Sequence, residues 1–198
     1  MYNELAWAYD PISWLVSGGR WQRWQRAIVP DIRGTRVLDL ACGPGHLLTY
    51  LLGQGYDAYG LDRSPRMWRR AARRTEGAAQ SGWVVGGSAL ALPFRADTFD
   101  TILLTFPPPF VRNPRFWSES DRVLRSGGRL IILEGASAPP RSWPRIIERL
   151  QVSVSRESMA TMRISWGTLR GRRTVRATPD GKLWLVILDK GSNSSRVR

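Results

Sequence analysis

Two carboxylates and two glycines in the first third of the chain have the spacing of a site for a nucleoside-bearing cofactor. Asp39 lies at the end of a predicted buried strand and is followed by Gly43 and Gly45, which lead into a predicted helix. Glycines let a backbone approach a ligand closely, and a helix N-terminus offers free N–H groups to a carboxylate or phosphate. Asp62 ends the next predicted strand, where its carboxylate could accept hydrogen bonds from both ribose hydroxyls. Open α/β sheets bind ligands at this edge, so these residues predict a cofactor site.

The position three residues after Gly45 separates two kinds of cofactor. A dinucleotide fingerprint requires a third glycine there, but the chain has Leu48. A pyrophosphate-bearing dinucleotide is therefore disfavoured. Taken alone, the Gly-Pro-Gly segment is also compatible with a tight strand-to-helix turn that binds no ligand.

The elements that must position these residues alternate between strands and helices. Short apolar runs predict five strands, at 35–40, 56–61, 83–86, 99–105 and 129–134. Helical periodicity and capping residues predict the helices between them, at 46–52, 64–75 and 113–125. This alternation predicts an α/β fold with a mostly parallel, twisted sheet that helices cover on both faces.

The C-terminal third carries a weaker pattern. Residues 174–178 and 183–189 flank a Pro-Asp-Gly turn and predict an antiparallel hairpin, whereas 145–152 looks helical and 153–170 is ambiguous. The length of 198 residues predicts a single domain. We expect four parts in order: N-terminal lid helices (1–30), a cofactor-binding core (31–135), a substrate-side segment with the hairpin (136–190) and a tail (191–198).

Charge is the unusual feature of the composition. The formal net charge is +14, and all but Lys182 and Lys190 of the 30 basic residues are arginine. Such a surface attracts nucleic acid or anionic lipid, but the arginines are spread along the chain, which favours a compositional bias. A helix with Trp14, Trp21 and Trp24 could lie in a membrane interface or cover the pocket as a lid; the lid is the favoured interpretation.

The remaining composition limits the class of protein. No apolar run is long enough to span a membrane and no secretory signal is visible, so a cytoplasmic protein is expected. Cys42 is the only cysteine, which excludes a disulfide within the chain and a thiolate zinc cluster, and no metal site is predicted.

Five segments resemble, in order, the motifs of the class I S-adenosylmethionine-dependent methyltransferases: 37–46 (VLDLACGPGH), 60–67 (GLDRSPRM), 87–94 (GSALALPF), 99–105 (FDTILLT) and 122–130 (RVLRSGGRL). The set is similar to the ubiquinone/menaquinone-type branch, in which the Tyr9-Asp10 pair also occurs. The resemblance implies a Rossmann-like sandwich, S-adenosyl-L-methionine as cofactor and methyl transfer as activity.

The resemblance also assigns roles to matching positions. Gly43 and Gly45 would let the turn pass under the methionine part of the cofactor, and Asp39 would orient that turn and the amino group. Asp62 would hold the ribose, and Thr105 and Phe106 would line the methyl side. The full set of implied cofactor contacts is Asp39, Ala41, Gly43, Gly45, Asp62, Arg63, Met67, Ser88, Ala89, Thr105 and Phe106.

Two departures from the family pattern limit what the resemblance implies. Ser88 stands where the family usually has an aspartate that accepts from the adenine amino group. The C-terminal third is also short, where a lid often contributes to the substrate pocket. A methyltransferase-like protein that binds without catalysis is therefore one alternative.

Three residues bear on the methyl acceptor and on a catalytic base. His46 and Tyr9 are weak candidates for catalytic residues, and His46 is more readily explained as the first residue of its helix. Pro107 occupies the place at which amino-group methyltransferases carry an acceptor Asp or Asn, which disfavours methylation of a flipped base. We expect a small acceptor, apolar or quinone- and lipid-like, with an RNA methyltransferase as a further alternative.

Overall fold

The computed structural model describes residues 19–77, 83–137 and 163–191. The helices in these ranges are α1 (Trp21–Arg26), α2 (His46–Gly53), α3 (Pro65–Thr75) and α4 (Pro114–Val123). The strands are β1 (Arg36–Leu40), β2 (Asp57–Asp62), β3 (Trp83–Gly86), β4 (Phe99–Thr105), β5 (Leu124–Ser137), β6 (Arg163–Trp166), β7 (Leu169–Thr178) and β8 (Gly181–Lys190). Tyr9, Trp14 and the helix predicted at 145–152 lie outside the described residues.

The eight strands form one sheet in the order β3-β2-β1-β4-β5-β8-β7-β6. The first five of these are parallel to their neighbours, and β5, β8, β7 and β6 pair antiparallel. The buried run of β1, where Val37 to Leu40 are all inaccessible, is typical of a strand that is covered on both faces. The predicted fold class, a mostly parallel sheet with an antiparallel C-terminal hairpin, is confirmed.

Helices pack on both faces of this sheet. On one face Trp24 of α1 and Leu47 and Leu51 of α2 form a buried cluster against the strands. On the other face Phe116 and Val123 of α4 belong to a second cluster. Both clusters consist of nearly inaccessible aliphatic and aromatic side chains, so burial of apolar surface holds the two layers to the sheet.

Local sequence explains where the two helices after β2 and β4 begin. Pro65 and Pro114 stand at the first helical position, where a missing N–H costs nothing. The side chain of Asn113 accepts a hydrogen bond from the backbone N–H of Arg115 and thereby caps α4. In α3, Met67, Ala71 and Thr75 recur at four-residue intervals and form the buried face, which turns the arginines outward.

The sheet extends further than the sequence pattern predicts. β5 begins at Leu124, which pairs with Phe99, and an irregularity in the pairing lets the strand pass residues 126–128. The helix predicted to run to 125 therefore ends at Val123, and the strand predicted from 129 begins five residues earlier. The predicted hairpin is also longer, and part of the ambiguous segment forms β6 and the start of β7. Gly171 permits this pairing, because a Cβ there would lie 1.9 Å from the carbonyl oxygen of Ile187.

Candidate cofactor and acceptor site

The loop after β1 lies between the ends of two neighbouring strands. Leu40 is paired with Leu61 of β2 on one side and with Leu104 of β4 on the other. The loop therefore runs between Asp62 and Phe106, which follow these partners. Its backbone is left-handed at Ala41 (φ 57°), Gly43 (φ 55°) and Gly45 (φ 82°). Positive φ is rare outside glycine and often marks functional loops. The left-handed backbone of Ala41 is therefore a feature of the loop that the sequence pattern did not predict.

Asp62 is held in place by two backbone donors. One carboxylate oxygen accepts from the N–H of Gly43 at 2.9 Å and the other from the N–H of Ser64 at 2.8 Å. Burial raises the pKa of Asp62, and these two hydrogen bonds partly oppose that rise. Each oxygen keeps a lone pair, so the fixed carboxylate can still accept hydrogen bonds from two neighbouring hydroxyls.

Asp39 is the most unusual group of the site. It is only 2% exposed, and within the described ranges its Oδ2 has no hydrogen-bond partner. Burial, and secondly the nearby charge of Asp62, raise the pKa of Asp39 to about 8, although a hydrogen bond from the backbone N–H of Leu48 acts in the opposite direction. A buried polar atom without a partner is rare in native proteins, and a cationic or hydrogen-bonding ligand would satisfy it.

Gly45 has a packing role as well as its left-handed backbone. A Cβ at this position would lie 2.8 Å from Cβ of Ala71, so glycine is what lets α3 pack against the start of α2. Gly60 of β2 likewise leaves room for Leu48 and the Cys42 thiol. The two glycines thus place α2 and α3 beside the loop after β1.

The next loop follows β3 and is joined to β2. The N–H of Gly87 donates to the backbone carbonyl oxygen of Asp62 at 3.1 Å, which joins the start of the loop that carries Ser88 and Ala89 to the end of β2. The Ser88 hydroxyl accepts from the backbone N–H of Leu90 at 3.2 Å, so one of its two lone pairs is used inside the loop. Ala89 and Met67, the two apolar residues predicted for the adenine side, are both buried.

Two residues that were not among the predicted cofactor contacts fix this loop. Arg122 donates to the carbonyl oxygens of Phe94 (2.7 Å) and Leu92 (3.0 Å) and is paired with Glu119 at 2.7 Å. Glu119 in turn accepts from the N–H of Leu92 at 2.6 Å. The hydrogen bond from Arg122 is the main cause that lowers the pKa of Glu119. The signal in the sequence is the three-residue spacing of these opposite charges on a predicted helix, which places them side by side.

Aromatic side chains stand at the other end of the site, after β4. Phe106 has a left-handed backbone (φ 53°), and its N–H donates to the carbonyl oxygen of Leu133 at 2.7 Å. The ring of Trp21 is stacked on Phe106 with 3.8 Å between centroids and 23° between planes. Gln25 donates to the Thr105 hydroxyl at 2.9 Å. Helix α1 thus lies against Thr105 and Phe106. Trp21 was predicted only as one tryptophan of a helix that covers the pocket, and Gln25 was not predicted at the site.

The position of α1 depends on the C-terminal hairpin. The indole N–H of Trp24 donates to the carbonyl oxygen of Asp180 at 3.0 Å, and Trp24 is only 1% exposed. Arg176 donates to the carbonyl oxygen of Ala27 (3.1 Å) and to the Asp31 carboxylate (2.7 Å). The rings of Trp21 and Trp24 are thus packed against protein.

Of the two weak catalytic candidates, His46 lies within the described ranges, and its ring nitrogen contacts two side chains. Nδ1 of His46 lies 2.7 Å from Nη1 of Arg74 and 3.2 Å from Nε2 of Gln22. Because a guanidinium only donates, Nδ1 is the acceptor in the contact with Arg74. Arg63 is exposed beside Asp62, and Tyr9 lies outside the described ranges.

These residues fit S-adenosylmethionine. A fixed carboxylate at the end of β2 suits ribose hydroxyls, and an unsatisfied buried carboxylate atom at the end of β1 suits a ligand that carries an ammonium and a sulfonium. The next loop offers a buried apolar surface and one hydroxyl for a base.

Comparison with known proteins gives the same result. A family model described as a methyltransferase domain matches residues 38–132. The chain is 30% identical over its whole length to a ubiquinone/menaquinone biosynthesis C-methyltransferase of Roseobacter denitrificans, of which it covers 83%. It is 35% identical over 152 residues to a demethylmenaquinone methyltransferase of Thermobifida fusca; this match covers 74% of the chain and 64% of that protein.

The chain spans less than two thirds of the length of several of these relatives, with 58% and 59% in two further demethylmenaquinone methyltransferases. Among solved structures, a possible histamine N-methyltransferase of Thermotoga maritima has the same fold, with a TM-score of 0.61 at 18% identity. That likeness covers 96% of this chain and all of the other. The chain belongs to the class I S-adenosylmethionine-dependent methyltransferases, in the branch of the ubiquinone/menaquinone biosynthesis C-methyltransferases.

Proposed function

We propose that this chain transfers a methyl group from S-adenosylmethionine to a ring carbon of an apolar, quinol-type acceptor. The names of its relatives suggest the acceptor class, and the observation that carries the proposal is the stack of Trp21 on Phe106 beside the loop after β1. Aromatic surfaces at the methyl side suit a flat apolar ring better than a charged or sugar-bearing acceptor. The cofactor, when bound, supplies an electrophilic methyl group on its sulfonium.

The cofactor half of the site binds and orients. Asp62 accepts from the ribose hydroxyls, and its two backbone hydrogen bonds keep the carboxylate from turning away. Asp39 binds the ammonium end, directly or through water, because its Oδ2 has no partner within the described ranges. The positive charge of that ligand opposes the effect of burial on the pKa of Asp39 and so favours its ionised form when the cofactor is bound. Ala89 and Met67 provide the apolar surface for the adenine, and the Ser88 hydroxyl is available to its edge. Two fixed carboxylates and one base-binding loop define the direction in which the methyl group points.

The acceptor half of the site is held by α1. The hydrogen bond from Gln25 to Thr105 and the stack of Trp21 on Phe106 bring this helix against the methyl side. We infer that these residues hold the acceptor ring and exclude water, since proximity and orientation account for much of the rate gain in a direct transfer. His46 is not assigned as a base, because its Nδ1 already accepts from Arg74 and Gln22.

The test is a direct methyl transfer under anaerobic conditions. The full chain is incubated with isotopically labelled S-adenosylmethionine and a chemically reduced 2-prenyl-1,4-naphthoquinone, and the naphthoquinone is analysed by mass spectrometry. We expect one labelled methyl group on a ring carbon for each S-adenosylhomocysteine formed, and no product with Asp62→Ala.

A parallel reaction with transcribed tRNA separates the main alternative. Label in the tRNA and none in the quinol would refute the acceptor class and support an RNA methyltransferase. Tight binding of S-adenosylhomocysteine with no transfer to either acceptor would refute the quinol acceptor while leaving the cofactor assignment intact.

A further inference from the structure

Helix α3 carries a dense row of arginines on its outer face. Arg69 and Arg73 are exposed, as is Arg74, and no acidic residue occurs between Arg63 and Thr75. Within the described ranges no carboxylate is paired with Arg69, Arg73 or Arg74. Their contacts are with other groups: Arg69 lies over the ring of Trp68, and Nε of Arg73 donates to the carbonyl oxygen of Arg69.

This row continues onto α1 through two polar side chains. Arg26 donates to Oε1 of Gln22 at 3.4 Å, and Nε2 of Gln22 lies 3.2 Å from Nδ1 of His46. Arg74 reaches the same nitrogen at 2.7 Å. Arg26 and Arg74 are therefore separated by only two side chains. We define the arginine face as Arg26 of α1 with Arg69, Arg70, Arg73 and Arg74 of α3.

The arrangement is costly unless an anion is present. Arg69 and Arg73, like Arg70 and Arg74, are four residues apart, and like charges at that spacing destabilise a helix. Arginine stays charged at every physiological pH, so this repulsion is permanent. Arg70, Arg73 and Arg74 line one open depression, where the guanidinium groups of Arg73 and Arg74 could pair with phosphate oxygens in the bidentate geometry that arginine favours.

The arginine face also borders the proposed acceptor site. Gln22, which connects its two halves, lies on the same helix as Trp21 and Gln25, the residues that contact Phe106 and Thr105. Any surface that binds the arginine face is therefore brought next to the helix that covers the methyl side. An apolar acceptor that is dissolved in a bilayer would then have the shortest route to the site.

We propose that the arginine face docks on the surface of an anionic lipid bilayer and so places α1 where a membrane-dissolved acceptor enters. The inference about the acceptor rests on the proposed function; the docking itself does not. Basic clusters are attracted to anionic leaflets electrostatically, without insertion of a helix, and the attraction falls with salt. The position beside an aromatic site favours lipid over nucleic acid, which would use the same phosphate chemistry.

The experiment is co-sedimentation of the full chain with vesicles of phosphatidylcholine alone or with one third phosphatidylglycerol. We compare the wild type with Arg69→Glu/Arg73→Glu on the face. The control is Arg95→Glu/Arg172→Glu, which changes the charge equally at exposed positions elsewhere. We expect binding only with phosphatidylglycerol, weakened by high salt, about tenfold or more weaker for the face variant and changed less than about twofold for the control.

Two further measurements accompany the sedimentation: binding of S-adenosylhomocysteine in calorimetry and binding to tRNA. Calorimetry with S-adenosylhomocysteine shows whether the face variant is folded; if it is not, Arg69→Gln/Arg73→Gln replaces it. The proposal would be overturned if the face variant and the control lost equal amounts of vesicle binding. Binding of the wild type to vesicles that contain only phosphatidylcholine would overturn it as well. So would a face variant that loses tRNA binding but keeps vesicle binding. Selective vesicle binding without quinol methylation would retain the docking and refute only the acceptor.

Discussion

Replacing Asp39 by asparagine is expected to stabilise the cofactor-free protein at neutral pH. The carboxyl has a pKa of about 8 in the folded chain, against 3.8 for an ordinary aspartate, and burial is the main cause. Between these two values the unfolded chain has lost the proton while the folded chain keeps it. The free energy of unfolding therefore falls by about 1.4 kcal/mol for each pH unit in that window.

The magnitude follows from the width of this window. The pKa of Asp39 is about 8 in the folded chain and 3.8 in the unfolded chain. The free energy of unfolding is therefore lower than at acidic pH by roughly 1.5 kcal/mol at pH 5 and roughly 4 kcal/mol at pH 7. Asparagine has the shape of the protonated side chain and can still accept from the N–H of Leu48. Any constant difference between the amide and the acid cancels when two pH values are compared. The stability gained by Asp39→Asn should thus grow by about 2.5 kcal/mol from pH 5 to pH 7.

The assay is urea unfolding followed by tryptophan fluorescence at a series of pH values, without cofactor. Glu76→Gln, which makes the same chemical change at an exposed position, is the control and should show no comparable growth. A gain from Asp39→Asn that is flat from pH 5 to pH 8 would refute the reasoning. It would mean that the carboxylate is already ionised in the folded chain and that its burial is compensated.

Three further predictions concern the site. Asp62→Ala should weaken binding of S-adenosylhomocysteine about 100-fold in calorimetry, since two charge-assisted hydrogen bonds are lost; unchanged affinity would contradict the ribose role. Arg122→Lys should lower that affinity several-fold and reduce thermal stability, because a lysine cannot hold Phe94, Leu92 and Glu119 together; an effect on stability alone would argue against positioning of the loop. Arg176→Ala should raise KM for the quinol acceptor while the Kd for S-adenosylhomocysteine stays within about twofold, because Arg176 ties α1 to the hairpin; equal changes in both constants would contradict this.

The parts of the site that could be predicted from sequence are those built from short segments of chain. The loop after β1 and Asp62 are visible because one strand, one turn and one helix fix them, and each requirement leaves a mark at a set spacing. The boundaries of β3 and β4 are likewise those of apolar runs between turn residues. Here the local pattern and the tertiary structure demand the same residues.

The parts that could not be predicted depend on contacts between distant residues. The indole of Trp24 donates to a carbonyl 156 positions away in the chain. Trp21 stacks on Phe106, which follows β4 and is therefore also distant in the sequence. The early start of β7 depends on pairing with β8 and on the absence of a side chain at Gly171, and neither is a property of the segment itself. A tryptophan-rich helix was visible in the sequence, but which of its rings would face the site was not.

Helix α1 shows why the acceptor side depends on the far end of the chain. Six residues are too few for a helix that is stable alone in water, so α1 exists only because other elements hold it. The sheet holds it through the buried ring of Trp24, and the hairpin holds it through Arg176 and the carbonyl of Asp180. The cofactor loops have their own local hydrogen bonds and need none of these contacts. Changes in the β7–β8 turn should therefore alter acceptor selectivity before they alter cofactor binding.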